Sequence, residues 1–147
     1  MSFFSTFDVS ASGLTAERFR MDIIANNIAN AETTRTKDGG PYKRQSAIFA
    51  PIPSKFEIPF SKKSFSSKDV GGGVRVLGIK EDNQPPKMIY DPSHPDANKE
   101  GYVAYPNVDV VREMVDMITA SRSYEANVTA VNTTKQMISR ALQIGKA

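Results

Sequence analysis

A chain of 147 residues with a net charge of +3 is long enough for one domain, or for one small domain with long extensions. Its excess basic residues are spread thinly through the middle of the chain, without the dense basic surface that nucleic-acid binding needs, so nucleic acid is not an expected partner. The sequence has no cysteine, which excludes disulfides, thiolate chemistry and structural zinc sites that use cysteine.

The N-terminal segment, residues 1–36, is predicted to form a long helix. Four apolar residues recur every seven positions and a fifth lies on the same face, as in a helix that packs against another helix. These residues form the N-terminal part of a predicted assembly seam: Phe7, Leu14, Met21, Ile24 and Ile28.

A cluster of asparagines lies at the far end of this helix. Asparagine is a poor helix former and tolerates the left-handed conformation of a helix cap, so one interpretation is that the cluster ends the helix. The other interpretation is that these amides, which both donate and accept hydrogen bonds, bond to neighbouring chains in an assembly. The three candidates for contacts between subunits are Asn26, Asn27 and Asn30.

Neither a secretion signal nor a membrane span is evident in the sequence. The first basic residue is Arg18, and Asp8 interrupts what would be the apolar core of a signal peptide. No apolar run approaches the roughly 18 residues that a membrane span needs. We therefore expect no direct membrane insertion, and if the protein leaves the cytoplasm we expect export without a cleaved signal peptide.

The middle segment, residues 37–106, is predicted to be a small irregular β region with extended loops. All 9 prolines of the chain lie between Pro41 and Pro106, which excludes a long helix there. Three phenylalanines spaced among serines and lysines are interpreted as anchors of a loop: Phe56, Phe60 and Phe65. Four short strands are predicted, at residues 42–49, 74–80, 87–90 and 102–105.

The C-terminal segment, residues 107–147, is predicted to form a second long helix. Asn107 can cap the first free N–H groups, and Gly145 marks the end. Apolar side chains, interrupted by Ser121 and Lys135, recur at alternating steps of four and three residues, as in the seam of a coiled coil. The seam residues predicted on this helix are Val110, Met114, Met117, Tyr124, Val128, Val131, Ile138 and Leu142.

This second helix is too weak to be stable alone. Its interior is rich in Ser, Thr and Asn, each of which costs about 0.5 kcal/mol relative to Ala. An apolar shoulder beside the seam is wider than one partner helix covers, and it consists of Val108, Val111, Val115 and Ile118. The predicted fold is therefore mainly α with a small irregular β insert, in which the two terminal helices pair as a coiled-coil-like hairpin. Because repeated heterologous contacts grow as a helix or tube, we expect this hairpin to pack with neighbouring subunits into a tube.

No catalytic, cofactor or metal site is predicted. His94 is the only histidine and lies in a Pro-rich run that is more typical of an exposed turn than of a catalytic base. The three glycines at 71–73 lack the Gly-Lys-Ser/Thr that follows in a phosphate-binding loop, and they indicate a hinge or a bulge. Lys62, Lys63 and Lys68 stand near phenylalanines, as in single-stranded nucleic-acid binding, but are more typical of a solvated loop.

Motifs at opposite ends of the chain carry a family resemblance. The run Asn-Asn-Ile-Ala-Asn-Ala at 26–31, preceded by residues 12–14 and Arg18, resembles the N-terminal signature of the bacterial flagellar rod and hook proteins. The segments 107–115 and 120–127 are similar to the C-terminal end of the same family. Both resemblances occur in the order that the family has, and together they cover about half of the chain.

The resemblance implies a structural subunit of the flagellar basal-body rod, which transmits motor rotation across the periplasm, and it implies neither an enzyme nor a cofactor. The implied partners are copies of the chain, other rod proteins, the membrane-embedded ring, the junction protein between ring and rod, and the flagellar type III export apparatus. Three alternatives remain: a sibling rod or hook subunit, a helical adaptor or chaperone, and a cell-wall hydrolase.

Overall fold

The computed structural model describes residues 3–37, 39–53 and 72–145, in which two long helices flank four short strands. The fold is therefore mixed helix and sheet, with the long helices at the two ends of the described chain as the sequence predicts. In chain order the elements are α1 (Phe3–Ala29), β1 (Gln45–Pro51), β2 (Val74–Glu81), β3 (Lys87–Tyr90), β4 (Tyr102–Tyr105) and α2 (Val110–Ile144).

The chain divides into two compact units, and each unit contains a part of both helices. The first unit is drawn from Met1–Arg18, Phe49–Leu77 and Ser121–Ala147, and the second unit from Phe19–Ile48 and Gly78–Ala120. The predicted division into three consecutive segments follows the sequence instead, and it stays a prediction.

The first helix, α1, ends at Ala29 inside the asparagine cluster and does not continue to residue 36 as predicted. The side-chain amide and the backbone N–H of Asn30 both donate to the carbonyl of Asn26, at 2.9 and 3.1 Å. The N–H of Thr33 then donates to the carbonyl of Asn30. These local bonds satisfy carbonyls at the end of the helix and lead the chain into a turn, because asparagine side chains compete with further helical bonding.

The second helix, α2, is capped by Asp109 rather than by Asn107. One carboxylate oxygen of Asp109 accepts hydrogen bonds from the N–H groups of Val111 and Arg112, at 3.1 and 3.3 Å. Asn107 instead donates its amide to the side chain of Gln84 at 2.7 Å. Asp109 immediately precedes the first helical residue, which is the capping position, and its negative charge is favourable at a helix N-terminus.

The two helices contact each other in both units. In the first unit, a Cβ atom built on Gly13 would lie 3.0 Å from the Oδ1 of Asn127. In the second unit, the amide of Asn27 donates to the carboxylate of Glu113 at 3.0 Å. Each contact lies within one unit, so the two helices contact each other in the first unit and again in the second.

The strands form two small sheets, one of β1 with β2 and one of β3 with β4. In the second sheet the strands are antiparallel, with Lys87 opposite Tyr105 and Tyr90 opposite Tyr102. β2, β3 and β4 match the predicted strands closely, whereas β1 begins three residues later than predicted. The predicted loop anchors and lysines lie outside the described residues: Phe56, Phe60, Phe65, Lys62, Lys63 and Lys68.

Gly73 joins the start of β2 to α1 by a close backbone approach. It has a φ of +93°, and a Cβ atom at this position would overlap the hydroxyl oxygen of Ser12. That hydroxyl donates to the carbonyl of Val9 at 2.6 Å and accepts from the N–H of Val74 at 3.1 Å. Part of the glycine run at 71–73 is therefore required by a specific contact.

We expect Gly73→Ala to lower the free energy of unfolding by about 1–3 kcal/mol, because alanine is strained at this φ and its methyl group displaces Ser12. Urea denaturation followed by circular dichroism measures the change. Gly78→Ala is the matched control, since Gly78 lies within the strand that follows Gly73 but has an ordinary φ and nothing within 4 Å of an added Cβ. Equal effects of the two substitutions would contradict the close approach at Gly73.

Candidate assembly surfaces and the polar network between the helices

The residues of α2 that are turned away from solvent recur at alternating steps of four and three, the spacing of a coiled-coil seam. Three of them, Glu113, Ala120 and Thr134, are buried almost completely. We call this series the inner face of α2, and its members are Glu113, Met117, Ala120, Tyr124, Asn127, Val131, Thr134 and Ile138.

The predicted seam of α2 matches the inner face at alternate positions. Met117, Tyr124, Val131 and Ile138 belong to both series, and Val128 is half-buried beside it. At the other positions the inner face lies one residue earlier than predicted, since Glu113, Ala120 and Thr134 occupy it and the residue that follows each of them does not. Val110, Met114 and Leu142 are exposed in this chain.

Leu142 is exposed because α2 extends beyond the residues that α1 covers. α1 begins at Phe3, ten residues before Gly13, whereas Leu142 lies fifteen residues beyond Asn127. The last turns of α2 therefore continue past the start of α1.

The predicted seam of α1 is only partly covered within the chain. Ile24 is buried, the other three described members at 14, 21 and 28 are half-buried, and Phe7 is exposed. The most buried residues of α1 also include four that the apolar repeat does not contain, namely Ser10, Ala16, Ile23 and Asn27.

Asn27 uses its whole side-chain amide within the chain. Its Nδ2 donates to the carbonyl of Gln45 at 2.8 Å and to Oε2 of Glu113 at 3.0 Å. Its Oδ1 accepts from the N–H of Gln45 at 2.9 Å and from the hydroxyl of Tyr42 at 3.0 Å. With 1% of its surface exposed, Asn27 bonds α1 to the first residue of β1 and to α2.

Glu113 is fully buried, and its charge is paired. Its Oε1 accepts from the Nε of Arg44 at 2.6 Å while its Oε2 accepts from Asn27. Arg44 also lies 3.7 Å from the carboxylate of Asp116, one turn further along α2. A buried carboxylate is tolerated only when it is paired and hydrogen-bonded, and both conditions are met here.

Tyr42 completes this network from the segment that precedes β1. Burial, together with the nearby carboxylates of Glu113 and Glu81, raises the pKa of the Tyr42 phenol above its ordinary value. The phenol therefore keeps its proton and donates it to the Oδ1 of Asn27. We call Asn27, Tyr42, Arg44 and Glu113 the polar network.

The other two asparagines of the cluster differ from Asn27. Asn30 bonds locally, to the Asn26 carbonyl and to the hydroxyl of Thr33. Asn26 is exposed, and within the described residues its side chain makes no hydrogen bond to the rest of the chain. A contact with a neighbouring subunit stays a prediction for all three asparagines, and within the chain Asn27 belongs to the polar network.

An exposed apolar surface covers the start of α2, on the side opposite Glu113. At about 100° per residue its members are centred roughly 150° around the helix from Glu113. They comprise Val111, Met114, Val115 and Ile118, with exposed fractions of 71%, 54%, 57% and 55%. Contiguous exposed apolar side chains at helical spacing are typical of a protein-interaction surface.

The structure also places the residue that the sequence offered as a possible catalytic base. The ring of His94 accepts the N–H of Asp96 at 3.1 Å and lies edge-on to Tyr105, as expected of a structured turn. In the described part of the chain no cluster of three or more potential metal ligands is present. Among the described residues, no helix has the length and apolar content of a membrane span.

Comparisons with known proteins agree on one family. A model of the family "Flagella basal body rod protein" matches residues 7–37, and a model of "Flagellar basal body rod FlgEFG protein C-terminal" matches residues 99–144. The chain is 51% identical to the flagellar basal-body rod protein FlgC of Borreliella burgdorferi over 98% of both chains. It is 46% and 38% identical to the FlgC proteins of Bacillus subtilis and Escherichia coli, over 99% of this chain and the full length of each relative.

Sequence reasoning did not find the polar network. A search for apolar periodicity passes over Glu113, and Asn27 was considered only as a helix end or a contact between chains. The sequence did contain one signal for this network. Glu113 lies seven positions before the small residue Ala120, at the spacing of a coiled-coil repeat.

We expect Arg44→Met to lower the free energy of unfolding by about 3 kcal/mol, because it leaves the buried Glu113 carboxylate without its cation. Urea denaturation of the purified chain is the measurement. The neighbouring Lys43→Met is the control, since Lys43 and Glu81 are both exposed and 3.9 Å apart, and it should cost less than about 1 kcal/mol.

Adding Glu113→Gln to Arg44→Met should recover part of the loss, because the buried charge is then removed. If Arg44→Met is no more damaging than Lys43→Met, the pairing of Glu113 with Arg44 does not contribute to stability.

Proposed function

The chain belongs to the FlgC family of flagellar basal-body rod proteins, and from this premise we propose that its helical hairpin is the element that assembles with neighbouring subunits into the rod. The chain is a structural subunit of the proximal rod and not an enzyme, and its relatives are named flagellar basal-body rod proteins. The single observation that carries this function is the match to FlgC proteins over nearly the full length of both chains.

The surfaces left uncovered within one chain support assembly through the helices. Phe7 on α1 and Val110, Met114 and Leu142 on α2 belong to the predicted seam and are exposed. Large apolar side chains lose contact with water only when another chain covers them, which favours association. We propose that these residues contact neighbouring subunits and that repeated contacts of this kind build a tube.

The proposed partners are copies of the chain and other rod proteins, together with the membrane-embedded ring and the junction protein between ring and rod. The proposed location is the part of the basal body that crosses the periplasm, reached through the flagellar type III export apparatus without a cleaved signal peptide. The weak helix-forming composition of α2 is consistent with a chain that is exported unfolded and gains its helices on assembly.

The test is to isolate basal bodies from a strain that lacks the chromosomal gene and carries the gene of this chain on a plasmid. We expect the chain to be recovered as a constituent of basal bodies that withstand high salt and detergent, and the uncomplemented strain to lack rods and motility. Mass spectrometry of the recovered chain should show an unprocessed N-terminus. A helical adaptor or chaperone would be absent from washed basal bodies, and that result would overturn the proposed function.

The control for this experiment is His94→Ala, which alters a surface turn. The amount of His94→Ala chain recovered in basal bodies should equal that of the unaltered chain. Secretion of the unaltered chain and of His94→Ala into the medium is measured in parallel, so that a failure of export is not mistaken for a failure of assembly.

A further inference from the structure

The outer face of α2 continues well beyond its apolar start. Six residues at steps of four and three residues are all exposed, which is a second coiled-coil series on the side opposite the inner face. Its first three members are branched and apolar, the next two are oppositely charged, and the last is a threonine. We call this series the outer face of α2: Val111, Val115, Ile118, Arg122, Glu125 and Thr129.

The outer face of α1 follows the same spacing. Six residues at steps of four and three are all exposed, on the side of α1 opposite Asn27. Short side chains stand at both ends of the series and two opposite charges stand in the middle. This outer face of α1 consists of Ala11, Thr15, Arg18, Asp22, Ala25 and Ala29.

The two outer faces are complementary when the helices run antiparallel. With Arg18 opposite Glu125, the next position places Asp22 opposite Arg122. The following two positions place Ala25 opposite Ile118 and Ala29 opposite Val115, so that each large side chain meets a short one. One register thus gives two oppositely charged pairs and two well-matched apolar pairs.

The other pairings of these faces are poorer. In a parallel contact with Asp22 opposite Arg122, the guanidinium of Arg18 would face Ile118. Two α2 outer faces aligned antiparallel, with Arg122 opposite Glu125, would place Ile118 against Thr129 and leave the valines against polar residues further along the helix. Two α1 outer faces aligned antiparallel would pair Arg18 with Asp22, but the other positions would bring only short side chains together and leave the branched apolar residues of α2 exposed. Among these pairings, only α1 against α2 matches the charged positions and also covers the large apolar ones.

One chain cannot make this contact with itself. The inner faces of α1 and α2 are occupied by each other, as the bonds of Asn27 and the approach of Asn127 to Gly13 show, so the outer faces point away from each other. Among the described residues, the side chains of Arg18, Arg122 and Glu125 form no ion pair. The partner must therefore come from outside the chain.

We propose that the outer face of α2 in one copy packs antiparallel on the outer face of α1 in a second copy of the same chain, with Arg18 paired to Glu125 and Asp22 to Arg122. The contact joins two different surfaces, so a pair keeps one free outer face of α1 on one copy and one free outer face of α2 on the other. Further copies can therefore extend the pair into a ring or a helical row. The inference rests on the proposed function in that the assembled rod is where the copies meet.

The absence of cysteine from the sequence allows a direct test by cross-linking. In a strain whose only copy carries Ala25→Cys and Ile118→Cys, oxidation of isolated basal bodies should link copies into dimers and higher multimers on a non-reducing gel. The matched control is Ala25→Cys with Thr129→Cys, which are equally exposed but out of register and should link to a much smaller extent. Motile cells whose basal bodies contain the Ala25→Cys/Ile118→Cys chain but show no multimers would overturn the contact.

A charge exchange gives an independent result if the cysteine variant does not assemble. Arg18→Glu and Glu125→Arg should each be secreted and each fail to support rods, and the double variant should restore motility. If both single variants fail and the double variant also fails, the outer faces contact a different protein and the second-copy contact is wrong. If the unaltered chain itself is missing from basal bodies, the proposed function fails, which is a separate outcome.

Discussion

The buried bond between Asn27 and Glu113 is the interaction on which the rest of the described structure depends. It is a contact between α1 and α2, and through Gln45 and Arg44 it also fixes the segment that leads into β1. Every donor and acceptor of the Asn27 amide is used, and the Glu113 charge is paired. Three separate segments of the sequence are thereby held at one point of the second unit.

A polar contact between α1 and α2 at this place favours one alignment of the two helices more strongly than an apolar contact would. Neighbouring apolar turns can exchange partners at little cost, whereas a shift of α2 by one turn would leave both Asn27 and Glu113 buried without partners. A single polar residue in a coiled-coil seam is known to fix register in this manner. A shift by one turn would keep the same residues on the outer faces, but it would change which turn of α2 lies beside which turn of α1.

The sequence predicted the elements better than it predicted the contacts between them. Proline placement and heptad spacing were sufficient for the two terminal helices and the strands between them, since both signals are local. The inner face of α2 differs from the predicted seam by one residue at alternate positions. Apolar spacing could not reveal this, because Glu113 and Thr134 are buried with hydrogen-bond partners, one distant in sequence and the other in the preceding turn. The role of Asn27 likewise depends on Tyr42, Gln45 and Glu113, whose proximity follows only from the folded chain. Family membership came from motifs at both ends and agrees with the full-length relatives.

A double-mutant cycle between Asn27 and Glu113 tests the central interaction most directly. The free energies of unfolding of the unaltered chain, Asn27→Ala, Glu113→Ala and the double variant are measured by urea denaturation. If the two buried polar groups are in direct contact, the sum of the stability losses of the two single variants should exceed the stability loss of the double variant. The difference, which is the coupling energy, should be about 1–3 kcal/mol. Losses that simply add, with a coupling energy near zero, would contradict the account.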